Sequence, residues 1–250
     1  MKVYRIAQLI LGAADTNCWI VVYDDGPAGD ASTAPSMEAT QPCALIDPGA
    51  EPEKIIAQLT AMALRPRHIL LTHGHFDHTF ALPDIHAAYP QASIGIHRRD
   101  VPYLGPESLD LHRRSFSAAV GTATDAGGGG GTYGGASGGG DLSYIDALWK
   151  PLPGADREFE DGDRIGPFKV LSSPGHTPGS AAFLLEEQKI LFSGDTLFKG
   201  GCGRVDLPGG DRREIEKSLK RLLALDGDIT VLPGHGEATT IAAERGTGST

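Results

Sequence analysis

The segment LLTHGHFDHTF, Leu70 to Phe80, sets His73, His75, Asp77 and His78 within six residues directly after an apolar run. Neutral imidazoles and carboxylates are the donors that zinc and iron accept, and the pattern H-x-H-x-D-H arises by chance in roughly one in a thousand chains of this composition. His73 and His75, two apart, can chelate one ion, while Asp77 and His78, further round the turn, can reach a second. A single ion would leave donors without a task. Three later fragments supply more: SSPGHTPGS with His176, LFSGDTLF with Asp195 and VLPGHGEATT with His235. Each follows an apolar run and is flanked by glycine or proline, as expected of a loop at a strand end. A lone Gly-His pair says little, but with the cluster these fragments form a constellation.

Donors so far apart in sequence must be brought together by the elements that carry them. Short β-rich runs recur in both halves: CWIVVY, CALID, HILLT and SIGIH, then FKVLS, AAFLLE, KILFS and ITVLP. Helical patterns fall between them. DRREIEKSLKRLLAL places Ile215, Leu219, Leu222 and Leu223 on one face, with Asp211 where an N-cap belongs. A second helix is expected over Pro52–Leu64 and a third from the histidine cluster through Ile85. Strand runs on either side of mid-chain, each with its own helices, predict two sheets packed together with helices outside. Two segments read as insertions: Gly26 to Pro42, with the composition of a surface loop, and the glycine-rich Gly121 to Gly140. The latter is not followed by the lysine with serine or threonine that opens the helix of a phosphate loop. The tail from Glu244 to Thr250 is expected to fray.

The 250 residues are 40% hydrophobic, enough for one large domain spanning 1–250. With 22 basic and 32 acidic residues, net charge −10, the chain repels phosphate backbones, so nucleic acid is a poor partner. No apolar stretch is long enough to cross a bilayer, and no membrane partner is expected. Cys18, Cys43 and Cys202 are few and widely spaced, which fits reduced thiols in the cytoplasm. The N-terminal MKVYRIAQLILGAADTNC imitates an export signal, but Gln8 interrupts it and Lys2 to Leu9 alternate as in a strand.

From TNCWIV and LIDPG through THGHFDH, PGHTPGS and SGDTLFKGGCGRVDLPGGD to LPGHGEATTI, the chain resembles the metallo-β-lactamase superfamily, and within it the glyoxalase II (hydroxyacylglutathione hydrolase) type. The helical C-terminal domain of the longer enzymes is not matched, as in the short bacterial type. The resemblance implies an α/β fold, a four-layer αββα sandwich, with two divalent metals at one edge. Zinc is the first choice, with iron or manganese as alternatives. By position His73, His75 and His176 would hold the first ion, Asp77, His78 and His235 the second, and Asp195 would bridge them.

Two such ions on the order of 3.5–4 Å apart share a hydroxide, because coordination lowers the pKa of water toward about 7. The implied reaction is hydrolysis of a small-molecule thioester such as S-lactoylglutathione by that hydroxide, with Asp77 also orienting it. A thiolate leaves readily, its thiol pKa being about 8.5, so no strong general acid is needed. Arg204 occupies the place of a basic residue that binds the glycine carboxylate of glutathione; otherwise it pairs with a neighbour such as Asp206. The aromatic residue that commonly follows is not matched. Asp47 of LIDPG either fixes an imidazole tautomer or forms an Asp-Pro-Gly turn. The segment from Asp100 to Lys150 could shape the substrate pocket, with Tyr103, Tyr144 and Trp149 as contacts.

Other readings use the same residues. A persulfide dioxygenase of this superfamily holds a single iron with two histidines and an aspartate, and lactone or other ester hydrolysis would need only the same hydroxide. Class B β-lactamases share the fold but many replace the ligands matching His78 or Asp195. Cys202 is not needed as a nucleophile, no serine has the G-x-S-x-G arrangement between a strand run and a helical pattern, and His68, His86, His97 and His112 lack partner spacing. Oligomeric state is not legible.

Overall fold

Strands β1 (Val3–Leu11) and β2 (Thr16–Tyr23) form an antiparallel hairpin, and all eight residues of β2 are buried. Burial of consecutive residues means that both faces are covered: Trp19, Val21 and Tyr23 enter one apolar cluster, Cys18, Ile20 and Val22 another. The computed structural model describes residues 3–24, 40–121 and 143–246. The bulk of both expected insertions, and residues 247–250 of the tail, lie outside them.

The first sheet continues through β3 (Gln41–Ile46), β4 (Leu64–Leu70), β5 (Ser93–His97) and β6 (Arg157–Phe159), in chain order, with β3 to β6 parallel. Parallel neighbours need crossovers, and these are helical: α1 (Pro52–Ala61) between β3 and β4, then α2 (Phe76–Thr79) and α3 (Leu82–Ala88) between β4 and β5. Between β5 and β6 run two 3₁₀ turns (Arg98–Tyr103 and Pro106–Ser108), α4 (Leu109–Gly121) and α5 (Ser143–Leu148). The second sheet holds β7 (Arg164–Ile165), β8 (Phe168–Ser172), β9 (Ala181–Leu185), β10 (Ile190–Gly194), β11 (Thr230–Pro233) and β12 (Thr239–Thr240), also in chain order. Helix α6 (Arg212–Leu223) makes the parallel crossover from β10 to β11, and α7 (Ile241–Gly246) follows β12.

Three apolar layers separate four structural ones. Trp19, Ile46, Phe159, Phe168, Phe183 and Phe192 fill the space between the sheets. Ile55, Leu59 and Ile85 seal the outer face of the first sheet, and Ile215, Leu219, Leu222 and Ile241 that of the second. This is the αββα sandwich expected. Asp211 caps α6, accepting from the backbone N–H of Arg213 and Glu214.

Some boundaries differ from expectation. The helix expected to reach Leu64 stops at Ala61, because Ala63 takes a left-handed turn (φ 52°) and Leu64 starts β4 beside β3. The helix after the histidine cluster is two, broken between Thr79 and Leu82. The tail expected to fray from Glu244 is still ordered there. Glu244 is buried, accepting from Thr239 Oγ1 and Gly200 N, and these bonds hold α7 against the body of the protein. Among the described residues no helix is long and apolar enough to cross a membrane.

Candidate metal centre

Every donor singled out in the sequence sits at or just beyond the carboxyl end of a strand. His73 and His75 lie in the loop after β4, and Asp77 and His78 on α2, whose first turn closes when His78 N–H donates to His75 O. His176 follows β8, Asp195 directly follows β10, and His235 lies two residues past β11. The last loop is tied to the first sheet: Asn17 Nδ2 donates to Pro233 O and Gly236 O, each at 3.0 Å. Glycine is required where these loops meet, since a β-carbon at Gly49 would collide with the Asp77 carbonyl and one at Gly234 with the Asp195 carboxylate.

The donors converge. His73, His75 and His176 form one group with ligand atoms within 4.8 Å of one another, and Asp77, His78 and His235 form another; Asp195 groups with His73 and His78. His75 Nδ1 and His176 Nε2 are 2.8 Å apart, and His78 Nε2 and His235 Nε2 are 3.3 Å apart. The Asp195 carboxylate faces both groups, with Oδ2 3.6 Å from His176 Nε2 and 3.4 Å from His235 Nε2, and Oδ1 3.5 Å from His78 Nε2. Metal–donor bonds of about 2.0–2.2 Å around a tetrahedral ion would space donors roughly 3.3–3.5 Å apart. The four longer separations, 3.3–3.6 Å, come close to that spacing while the His75–His176 pair is tighter, and His73 Nε2 is buried without any hydrogen-bond partner. The residues therefore fit divalent ions.

Hydrogen bonds behind the donors set which nitrogen faces inward. Asp47 is buried and accepts from Thr72 N (2.8 Å) and Thr72 Oγ1 (2.6 Å), and its Oδ2 lies 3.0 Å from His78 Nδ1. With the Thr72 hydroxyl donating to Asp47, its oxygen is left to accept from His73 Nδ1 at 3.1 Å. His176 Nδ1 donates to Arg204 O (2.7 Å) and His235 Nδ1 to Ala14 O (3.0 Å). In His73, His176 and His235 a protonated Nδ1 leaves the Nε2 lone pair free for coordination, and the Asp47 carboxylate beside His78 Nδ1 favours the same form there.

Burial sets the charge state of the first group. It lowers His73, His75 and His176, with neighbouring imidazoles adding to the effect, so these rings are neutral, the form that coordinates. The second group behaves oppositely. Burial disfavours charge on His235, but Asp195 and Asp77 outweigh it and push that ring up to about 11; His78 is raised by Asp195, Asp77 and Asp47 against the same burial. Asp77 and Asp195 are in turn held well below the usual carboxylate range, burial being outweighed by the cationic His78 and His235. Both carboxylates are ionised.

Arg204 forms a two-pronged ion pair with Asp206, Nε to Oδ1 at 2.7 Å and Nη2 to Oδ2 at 2.8 Å. Of the other contacts expected, Tyr103 is buried edge-on to His75, Trp149 packs against Phe80 and His112, and the Tyr144 side chain is outside the described residues. The sequence reading missed Asp100. Its buried carboxylate accepts from Gly74 N (3.0 Å), Thr177 Oγ1 (2.7 Å) and Gly179 N (2.6 Å), bracing the His73–His75 loop against the His176 loop. Burial pushes it up to about 6 despite those three donors. The only signal was an acid just beyond the strand SIGIH.

The model of the metallo-beta-lactamase superfamily matches residues 37–235, and the chain belongs to that superfamily. It is 34% identical over 208 residues to the hydroxyacylglutathione hydrolase GloC of Haemophilus influenzae, covering 81% of this chain and 84% of the relative. The probable metallo-hydrolase YqgX of Bacillus subtilis matches at the same identity and coverage. Among solved structures, TTHA1623 in a di-iron-bound form superposes with a TM-score of 0.71 at 33% identity, covering 96% of this chain and 98% of that one.

Proposed function

We propose that this chain is a metal-dependent hydrolase of a small-molecule thioester, of the hydroxyacylglutathione hydrolase type. The observation that carries the reading is the convergence of seven donors from four segments at strand ends into two groups that share Asp195. His73, His75 and His176 would hold one divalent ion and Asp77, His78 and His235 the other, with the Asp195 carboxylate between them. Zinc is the first candidate, and the di-iron-bound relative supports iron as the second. Bound there, the ions supply a nucleophile ionised from solvent near neutral pH and a Lewis acid for the acyl oxygen.

The remaining work falls to the chain. Asp77 is ionised and 10% exposed, so its carboxylate can accept a hydrogen bond from water at the edge of the site and orient it. Asp47 and Thr72 keep His78 and His73 in the coordinating tautomer. Arg204 sits beside the first group through its own backbone oxygen on His176, where its guanidinium can take a carboxylate of the carrier by sharing or exchanging Asp206. A thiolate leaving group needs little proton donation.

The test is elemental analysis of the purified chain together with thiol release from S-lactoylglutathione followed with a thiol reagent. Two ions per chain and turnover abolished by chelation are expected. One iron per chain with oxygen uptake on glutathione persulfide would replace this reading by the dioxygenase, and turnover of a lactone alone would replace the substrate.

A further inference from the structure

A cavity of about 290 Å³ opens on Asp77, bounded by the turn between β1 and β2, the start of α1, α2 and the end of α5. None of the histidine donors lines it. Its apolar wall is made by Leu11, Phe76, Phe80 and Leu148. Leu11 and Phe76 are buried, whereas Leu148 is 48% exposed, one of two large apolar side chains left so among the described residues. At about 30 Å³ per small group, the space takes on the order of ten heavy atoms. That suits an acyl chain and is too small for an acyl group together with a peptide-sized carrier.

The charges around it select further. Asp84 is neutralised by Lys150 at 2.7 Å, and Glu51 by Lys54 at 2.5 Å. Glu53, exposed on the first turn of α1, has no ion pair among the described residues. Both lysines near the cavity are therefore already paired, while the Glu53 carboxylate at its rim faces an entering ligand. Resting on the thioester reading above, we infer that this cavity is an acyl pocket that takes an uncharged, medium-length chain and rejects an anionic one, with the scissile end at Asp77.

Two measurements on the full chain as purified, its metal content recorded, test the pocket. Calorimetric binding of neutral S-alkyl N-acetylcysteamine thioethers, which cannot be hydrolysed, is expected to tighten at least tenfold from ethyl to hexyl, since each fully buried methylene is worth about fourfold. With the matching acyl thioesters, kcat/KM is expected to rise from acetyl to hexanoyl and to fall at least tenfold from butyryl to succinyl. Leu148→Asp, an exposed site whose change leaves the core intact, should cut the hexyl preference at least threefold, and Glu53→Lys should narrow the gap between butyryl and succinyl. Thioester hydrolysis with no dependence on chain length in either measurement overturns the pocket and leaves the reaction standing. Chain-dependent binding by a protein that hydrolyses none of the thioesters keeps the pocket and removes the reaction.

Discussion

His73, His75 and His176 are three buried rings kept neutral by the fold, whereas Asp77, His78 and His235 set an ionised carboxylate among imidazoles that attract protons. The first group presents ready lone pairs in a dry place. The second is wetter, with His235 25% and Asp77 10% exposed, and its negative charge is met by protons until a cation displaces them. An ion entering the first group displaces no proton from its rings, while one entering the second must compete with hydrogen ions. The exposed half is also the one on which the apolar cavity opens, so solvent and ligand both reach the centre from the side of Asp77.

Asp195 belongs to both halves, and its removal should have the largest effect. Asp195→Ala is expected to release both ions and lower thioester turnover on the order of a thousandfold or more; full occupancy of both ions in elemental analysis would contradict the shared carboxylate. His235→Ala should separate the halves, losing one equivalent of metal while the other stays, with a smaller loss of turnover. Equal loss of both ions would show that the halves are not independent. Asp47→Asn is milder. An amide nitrogen in place of Oδ2 cannot accept from the Thr72 hydroxyl and His78 Nδ1, and the wrong His78 tautomer then faces inward. A 10–100-fold loss of metal affinity is the size expected for such a partner, measured by competition with a chelating dye.

The pH dependence of the metal-free protein sharpens the contrast. His235 is raised from 6.5 to about 11 in the fold, so the native state holds a proton that the unfolded chain releases. Its contribution is complete below about pH 6.5 and is lost as pH rises toward the folded value, at up to roughly 1.4 kcal/mol per pH unit. The metal-free chain should therefore melt lower at about pH 8.5 than at about pH 7 by an amount that bound divalent ion abolishes. The histidines of the first group, lowered in the fold, add only a small opposite change that fades just above pH 6.5, while His78, raised as well, adds to the loss. Above about pH 9 the buried thiols Cys18 and Cys43, both raised by burial, add a loss of the same sign, so the comparison is made below it. A melting temperature flat over this range would mean that His235 carries no proton in the metal-free fold.

How much of this the sequence disclosed depends on how local each signal was. Four donors in THGHFDH and three Gly-flanked ones after apolar runs are visible because coordination chemistry narrows the residue types and strand ends narrow the places. Strands β2 and β8 to β11 were legible because both faces are buried or alternate plainly. Two- and three-residue strands such as β7, β12 and β6 exist only through their neighbours, and no periodicity fits in so few residues. Asp100 was invisible for a similar reason: its three donors come from Gly74, Thr177 and Gly179, and nothing in IHRRD announces them. Asp47 was ambiguous for the opposite reason. Asp47 does take the left-handed backbone of a tight bend, with φ 55°, and it also lies beside His78 and, through Thr72, orients His73.

Arg204 gives the smallest expected effect and bears on the first half alone. Its guanidinium is about one third exposed and already matched to the Asp206 carboxylate, so a substrate carboxylate exchanges one equivalent partner for another and gains little. Exposed pairs of this kind are worth about 0–1 kcal/mol. Arg204→Ala is therefore expected to raise KM for S-lactoylglutathione by about threefold with kcat preserved. Its backbone oxygen, which orients His176, survives the substitution, so metal content should stay at the wild-type value. Loss of metal would instead place the side chain in the support of the histidine group, and an unchanged KM would remove Arg204 from substrate binding and leave it as the partner of Asp206.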